Sequence, residues 1–455
     1  MKRKVLIGLL VLAVSLAITV NLSQKSQETR RQAASSENDN LINAEIDWIK
    51  SLQQKSGAIL MKNRESKDLW MDKSCYKIEP YFASIAAEEV LGETAKKYAT
   101  WYLSKITERG TINIYYADSA DNKEYDSGGK DSEDSYAATF ISMLREYYES
   151  SGDKTFFTDN KDKIRNVIGV MLELQDSSDS LSVVMKNDTR KFAMDNAEVF
   201  DGLKDAALIE KNVFGDTTQS DLLKSSACKL KKSFESNLWN STNKNYNWEL
   251  KGTSDLTNFY PPMMAQIYPY IYAVNTDINR AKAVKSGLDK NFSEWTSLKN
   301  TTEFSWMQLA YFSLLVGDTT SSEKMIASAK TQYLDTGRKW KWFVGEGAYL
   351  IKTLRQDKDQ FQDEDVCLVI DHSECKFRCE QIKTNYIGPN KWGGDYNCDG
   401  ALTGGDFSVW RDEAIDKEFV GTRVESDGTC DGRSTVADYA RWREELLKQF
   451  LITNS

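Results

Sequence analysis

The sequence predicts an all-α fold: a closed (α/α)6 toroid of helical hairpins, followed by a small C-terminal module of two repeated loop-helix units. Three observations carry this prediction. The chain of 455 residues has five prolines, of which Pro80, Pro261, Pro262 and Pro269 fall within residues 40–356, and segments there such as "FASIAAEEVLG" and "MDNAEVFDGLKDAALI" repeat apolar residues at helical spacing. A glycine junction recurs through the same span. Near the end, "GDYNCDGALTGGDFSVWR" and "SDGTCDGRSTVADYARWR" are two copies of one short pattern.

The junction is an apolar helix end, then Gly, then an acid or Thr, then a new helix: "VLGETAKKYATWYL", "ESSGDKTFF", "NVFGDTTQSDLL" and "LLVGDTTSSEKM". Gly supplies the left-handed position that ends one helix, and the following Asp or Thr caps the next. These glycines are Gly92, Gly152, Gly215 and Gly317, and "AVNTDINRAKA" offers an equivalent turn at Asn275. Steps of roughly sixty residues give five hairpins. A closing pair, residues 40 to 54 with 345 to 355, completes six. An open α-solenoid is the alternative, and closure of the ring separates the two.

Composition narrows the chemistry. With 40% hydrophobic residues the chain can bury a core, and its net charge of −9 argues against a nucleic-acid or polyanion surface. The single histidine, His372, lies in a charged stretch between the two domains. A Ser-His-Asp triad or a His-ligated zinc site in the large domain therefore has no imidazole. Hydrolytic chemistry there should run on carboxylates.

Each hairpin's first helix is preceded by acids and aromatics: "KIEPYFAS", "DSEDSYAATF", "FAMDNAEVFDGL", "TNFYPPMMAQ", "TTEFSWMQ" and "KWFVGEGAY". If these helices line the ring, all six lead-in segments open at one mouth. Helix N-termini stabilise anionic groups, and aromatic faces suit the C–H surfaces of sugars. Helix starts also favour acids for capping alone; the sixfold recurrence is what points to a site. Glycoside hydrolysis needs two carboxyl groups flanking the scissile bond. Asp134 and Asp195, on neighbouring hairpins, are the expected pair, with Glu133 and Glu198 as substitutes. Tyr81, Phe82, Tyr136, Phe259, Tyr260, Trp306 and Trp342 are expected sugar platforms, with core packing as the alternative for each. Asn196, Asp201 and Glu303 are expected to bind hydroxyls.

Over residues 40–356 the chain resembles the six-hairpin glycosidases. "MDNAEVFDGL" resembles the segment that carries the catalytic aspartate in the unsaturated glucuronyl and rhamnogalacturonyl hydrolases of that superfamily, and Asp195 alone occupies the matching position. The matching histidines of that branch are missing, and an acidic chain suits uronates poorly. A non-catalytic glycan-binding or scaffold toroid and a polysaccharide lyase are the rival readings.

In the terminal repeats, Asp395, Asn397, Asp399, Gly400, Ala401, Thr403 and Asp406 form D-x-N-x-D-G with an acid at the twelfth position. A hard cation such as Ca2+ takes about six or seven oxygens, and this spacing offers side chains, the Ala401 carbonyl and a hydroxyl or water. The second loop offers Asp427, Thr429, Asp431, Arg433 through its carbonyl, Thr435 and Asp438. Thr429 is the poorer ligand, so the second site should bind more weakly. With Asp closing each loop and helices mainly on the C-terminal side, residues 392–450 resemble a dockerin, an EF-hand-type calcium module that docks onto cohesin domains. Where cellulosomal dockerins often carry Ser-Thr, this chain has Gly404-Gly405 and Val436-Ala437, which leaves the docking partner open.

Five of the seven cysteines (Cys367, Cys375, Cys379, Cys398, Cys430) cluster late in the chain, as expected of an oxidising compartment. The dockerin resemblance implies that Cys398 and Cys430 each bond an upstream cysteine. Cys75 and Cys228 belong to the large domain, either bonded to one another or buried apart. A basic start and an apolar run from Val5 to Val20 read as an export signal within residues 1–24, either cleaved or kept as a membrane anchor. Residues 25–39 are a polar spacer, and 357–391 a charged linker.

Overall fold

A computed structural model describes residues 37–356, apart from 66, 71–72, 255 and 300–303, together with residue 367. The expected export segment, the linker apart from Cys367, both calcium loops and Glu303 lie outside the described residues.

Thirteen helices are described: α1 over 37–51, α2 (Pro80–Val90), α3 (Gly92–Lys105), α4 (Asp134–Ser151), the short α5 (Lys154–Asp159), α6 (Lys161–Leu174), α7 (Ala193–Asn212), α8 (Thr217–Ser233), α9 (Met264–Ile271), α10 (Ile278–Asn291), α11 (Gln308–Leu315), α12 (Thr319–Gln332) and α13 (Val344–Arg355). Helices α2, α4, α7, α9, α11 and α13 touch in that cyclic order, with α13 returning to α2. This is a closed inner ring. Around it, α3, α6, α8, α10 and α12 each pack on the inner helix of their own hairpin, and α1 lies against α13, where Glu45, Trp48 and Ile49 crowd Gly347.

The connections explain where a site can form. Passages from an inner to an outer helix are tight, and the four expected junction glycines hold positive φ of 56° (Gly92), 64° (Gly152), 68° (Gly215) and 83° (Gly317). Asp153, Asp216, Asp277 and Asp318 cap the helices that follow, each accepting from a backbone N–H of the first turn. The fifth turn differs from expectation. Ala273 takes the left-handed position at φ 53°, while Asn275 accepts from the Asp277 N–H and donates to Glu235 and Tyr246. Passages from outer to inner helices are long, so one end of the ring is built from loops.

Those loops hold strands that an all-helical reading leaves out. An antiparallel sheet runs β1 (Asp68–Trp70), β2 (Lys73–Ile78), β3 (Tyr115–Asp118), β4 (Glu124–Asp126), and a small hairpin pairs β5 (Trp239–Asn240) with β6 (Asn245–Tyr246). β2 runs into α2, so the sheet sits at the mouth. A two-residue alternation shows in β3, where Tyr115 and Ala117 are buried and Tyr116 and Asp118 are half-exposed; a search for helical period passes over it.

Cys228 of α8 is bonded to Cys367, with Cα atoms 4.9 Å apart, and Cys75 is buried in the sheet. Neither alternative for Cys75 and Cys228 was this one, because the partner lies in the linker rather than in the toroid.

Candidate active site

Two inner helices bring the carboxyl groups together. Asp134 is the first residue of α4 and Asp195 the third of α7, so both stand at the mouth end of adjacent helices. Glu198 follows one turn below Asp195. Asp134 is fully buried, Glu198 nearly so, and Asp195 half-buried. The Asp134 Oδ1 accepts from Ser132 Oγ at 2.7 Å and from the Ser135 N–H at 2.9 Å. Its Oδ2 has no hydrogen-bond partner among the described residues. The Tyr81 hydroxyl donates to Glu198.

Burial in this setting disfavours charge, and the neighbours compound it. The Asp134 carboxyl is pushed up to about 7 by burial, against the pull of its hydroxyl and backbone donors. Burial, with Asp134 and Asp131 nearby, raises Glu198 to about 8 even though Tyr81 donates to it. Asp195 is raised well above the usual carboxylate range by burial and then by the charges of Asp134 and Glu198. Three acids this close cannot all ionise together, so the cluster retains protons at neutral pH. Carboxyls poised in this way suit acid-base work.

Glu133 behaves in the opposite way. Burial alone would raise it, but Arg109 donates twice (3.1 and 2.9 Å), Lys130 at 2.8 Å and the Lys186 N–H at 3.0 Å. These donors hold it ionised, at about 2. As a clamp on the lead-in of α4, it does not suit the role of a substitute acid.

Several expected contacts are structural in their surroundings. Asn196 is fully buried, accepting from the Ser182 N–H at 2.7 Å and donating to the Ser182 and Phe192 carbonyls. Tyr136 is buried, donates to Glu79 and accepts from the Asp131 N–H at 3.2 Å. Trp342 is fully buried, donates to Glu45 at 3.2 Å and stacks on Tyr333. Asp201 lies two turns below Asp195, away from the mouth, in a narrow cavity shared with Glu88, Tyr349 and Lys352.

The remaining aromatics form a connected arc that starts beside Tyr81, the partner of Glu198. Phe82 packs on Phe304 and Phe343 (5.7 and 4.6 Å between ring centres), Phe304 on Trp306 (5.4 Å), and Trp306 on Tyr260 (5.0 Å) and Phe259 (6.3 Å). Tyr260 is 46% exposed and Trp340 43% exposed, whereas Phe259 is buried. Trp306 holds φ 61°, uncommon for a bulky residue, and its buried Nε1 lacks a partner among the described residues. Glu346 fixes this turn by accepting from the N–H groups of Ser305, Trp306 and Met307 at 2.7 to 2.9 Å. Strain held in this way by a buried group is a mark of functional sites.

Four residues of the mouth escaped the sequence reading. Glu79, at the N-cap of α2, is buried against Lys77 and Tyr136; "KIEPYFAS" displays it without showing which acids face inward. Trp340, Phe304 and Glu346 are the others.

The geometry invites comparison with solved structures. A glycosidase point variant matches with a TM-score of 0.51 and 11% identity, over 71% of this chain and 98% of its own. Another glycosidase variant, in complex with glucose, matches with a TM-score of 0.50 and 10% identity over the same shares. The chain shares the fold of these glycosidases. A novel alpha-amylase from Clostridium perfringens aligns less well, at a TM-score of 0.47 with 11% identity over 70% of this chain and 97% of its own. No family model matches the chain, and no curated protein matches it.

Proposed function

We propose that the protein is an exported glycoside hydrolase acting on a poly- or oligosaccharide, with Asp195 and Asp134 as its two working carboxyls. The observation that carries this reading is the cluster Asp134, Asp195 and Glu198, raised together in pKa and linked through Tyr81 to an aromatic arc. Asp195 is raised well above the usual carboxylate range and has the most solvent contact of the three, which suits the general acid. It gives that proton to the glycosidic oxygen as the bond to the anomeric carbon breaks. Asp134 is raised to about 7, and its Oδ2 has no hydrogen-bond partner among the described residues. It serves as the second carboxyl, either taking a proton from the attacking water or bonding to the anomeric carbon. Tyr81 and Glu198 position the pair from below, while Tyr260 and Trp340 offer faces for sugar rings and the buried Trp306 backs Tyr260.

A panel of purified polysaccharides tests this directly. Release of reducing ends by the full chain supports hydrolysis. An unsaturated product absorbing in the ultraviolet would indicate a lyase, and binding without turnover a glycan-binding toroid.

The C-terminal loops extend the reading. Asp395, Asn397, Asp399 and Asp406 supply carboxylate and amide oxygens, and Asp427, Asp431 and Asp438 a weaker second set, a donor chemistry that suits Ca2+. We propose that both loops bind calcium and that the module docks a cohesin-type protein. A cation bound only by folded protein raises stability by mass action, so chelation should lower the melting temperature of the full chain. An unchanged melt would remove the calcium assignment.

A further inference from the structure

Outside the mouth, a polar pocket lies on the loop from β5 to α9. Its lining is mostly amides and hydroxyls, from Asn240, Asn243, Asn245, Asn247, Thr253 and Ser254, with Gly252 and Leu256 completing it. Asn240 stands directly opposite Asn245 in the β5–β6 ladder. Asn243, in the turn before β6, and Asn247, just after it, line the same pocket as Asn245.

The pocket is preformed. Asn240 Oδ1 accepts from the Thr242 and Asn243 N–H groups at 3.1 and 3.0 Å. Asn240 and Asn243 both donate to Ser254 Oγ, at 3.3 and 2.6 Å, and Asn245 donates to the Ser254 carbonyl at 2.7 Å. One amide oxygen is left over. Asn245 is 6% exposed, and its Oδ1 is buried with no hydrogen-bond partner among the described residues. A buried acceptor without a donor is unfavourable, and the open pocket that Asn245 lines is where a donor can arrive.

Placement ties the pocket to the mouth. Past β6, the Ala193 N–H donates to the Trp248 carbonyl and the Leu250 N–H to the Lys191 carbonyl, each at 2.9 Å; these bonds hold the loop to the start of α7, two residues before Asp195. The chain then runs on to Tyr260.

We infer that this pocket is an accessory binding site for a neutral, multi-hydroxyl saccharide. Apart from Leu256 the lining side chains are amides and hydroxyls, and none is charged, a match for vicinal diols, which need a donor and an acceptor side by side. Asn245 Oδ1 takes a sugar hydroxyl, and the Asn243 and Asn247 amides take its neighbours. This inference does not depend on hydrolysis at the mouth.

Its test uses the full chain and four neutral probes: maltopentaose, cellopentaose, xylopentaose and mannopentaose. Titration calorimetry should find at least one that binds the wild type and the Asp195→Asn variant alike. The double variant Asn243→Ala/Asn247→Ala should weaken that binding tenfold or more, with an unchanged melting temperature. Its hydrolysis of a short substrate should remain as in wild type. Equal affinity in the double variant, or no binding of any of the four, overturns the inference. Loss of turnover in every protein, with the affinity difference intact, would count against the hydrolase reading and leave the pocket standing.

Discussion

At the scale of single residues, the mouth acids couple activity and stability to pH in ways that can be read separately. Activity requires Asp134 ionised and Asp195 protonated. With those roles, rate should rise with pH through the Asp134 value of about 7 and fall again where Asp195, itself raised well above the usual carboxylate range, loses its proton. A bell-shaped profile of kcat/KM checks this, and a rate that falls steadily from pH 5 upward would contradict it. Stability moves differently. An unfolded chain releases protons from these carboxyls near pH 4, whereas the native chain keeps them to about 7 and above. The native state then binds more protons between those limits, so stability falls as pH rises across that window. Depressed groups such as Glu133 give their full contribution above pH 4 and leave that slope alone. Melting temperatures from pH 5 to 8 should decline, and the decline should be shallower in Asp195→Asn. The sequence displayed Asp134 and Asp195 because each opens a helix on a neighbouring hairpin. It did not separate Glu133 from Asp134, since the difference lies in Arg109, twenty-four positions away.

At the scale of elements, close approach between α4 and α7 sets the spacing of the two acids. Gly202 makes it possible: a Cβ there would sit 2.7 Å from the Ala138 Cα and 3.0 Å from the Met171 sulfur. Alanine favours a helix over glycine by about 1 kcal/mol, but overpacking a tight contact costs about 1–3 kcal/mol. Gly202→Ala should be destabilised by about 1 kcal/mol net in denaturant unfolding; a more stable variant would mean that the helices have room to spare. Tight turns were legible because Gly followed by Asp has one conformational meaning. Loops at the mouth were not, since strand pairing depends on partners distant in sequence. In "KWKWFVGEGAY" the two tryptophans flank a turn, and one faces solvent while the other is buried. Only the fold shows that Trp340 is the outer one.

At the scale of the whole molecule, ring closure rests on a buried contact between the two ends of the described chain. Glu45 of α1 is fully buried, and Arg338, in the lead-in of α13, donates to it at 2.7 Å. Removing one partner of such a pair strands the other, at about 3 kcal/mol. Glu45→Ala should lose stability on that scale in urea, and a loss below about 1 kcal/mol would show that apolar packing alone closes the ring. Six hairpins in a closed ring give one mouth, and the mouth gathers chemistry from segments spread across the chain. That convergence makes the central claim testable at one position. Rates of reducing-end release from a hydrolysed polysaccharide should drop about a thousandfold or more in Asp195→Asn with its fold intact, the scale expected for removing an essential acid. Turnover at the wild-type rate in that variant would contradict the account.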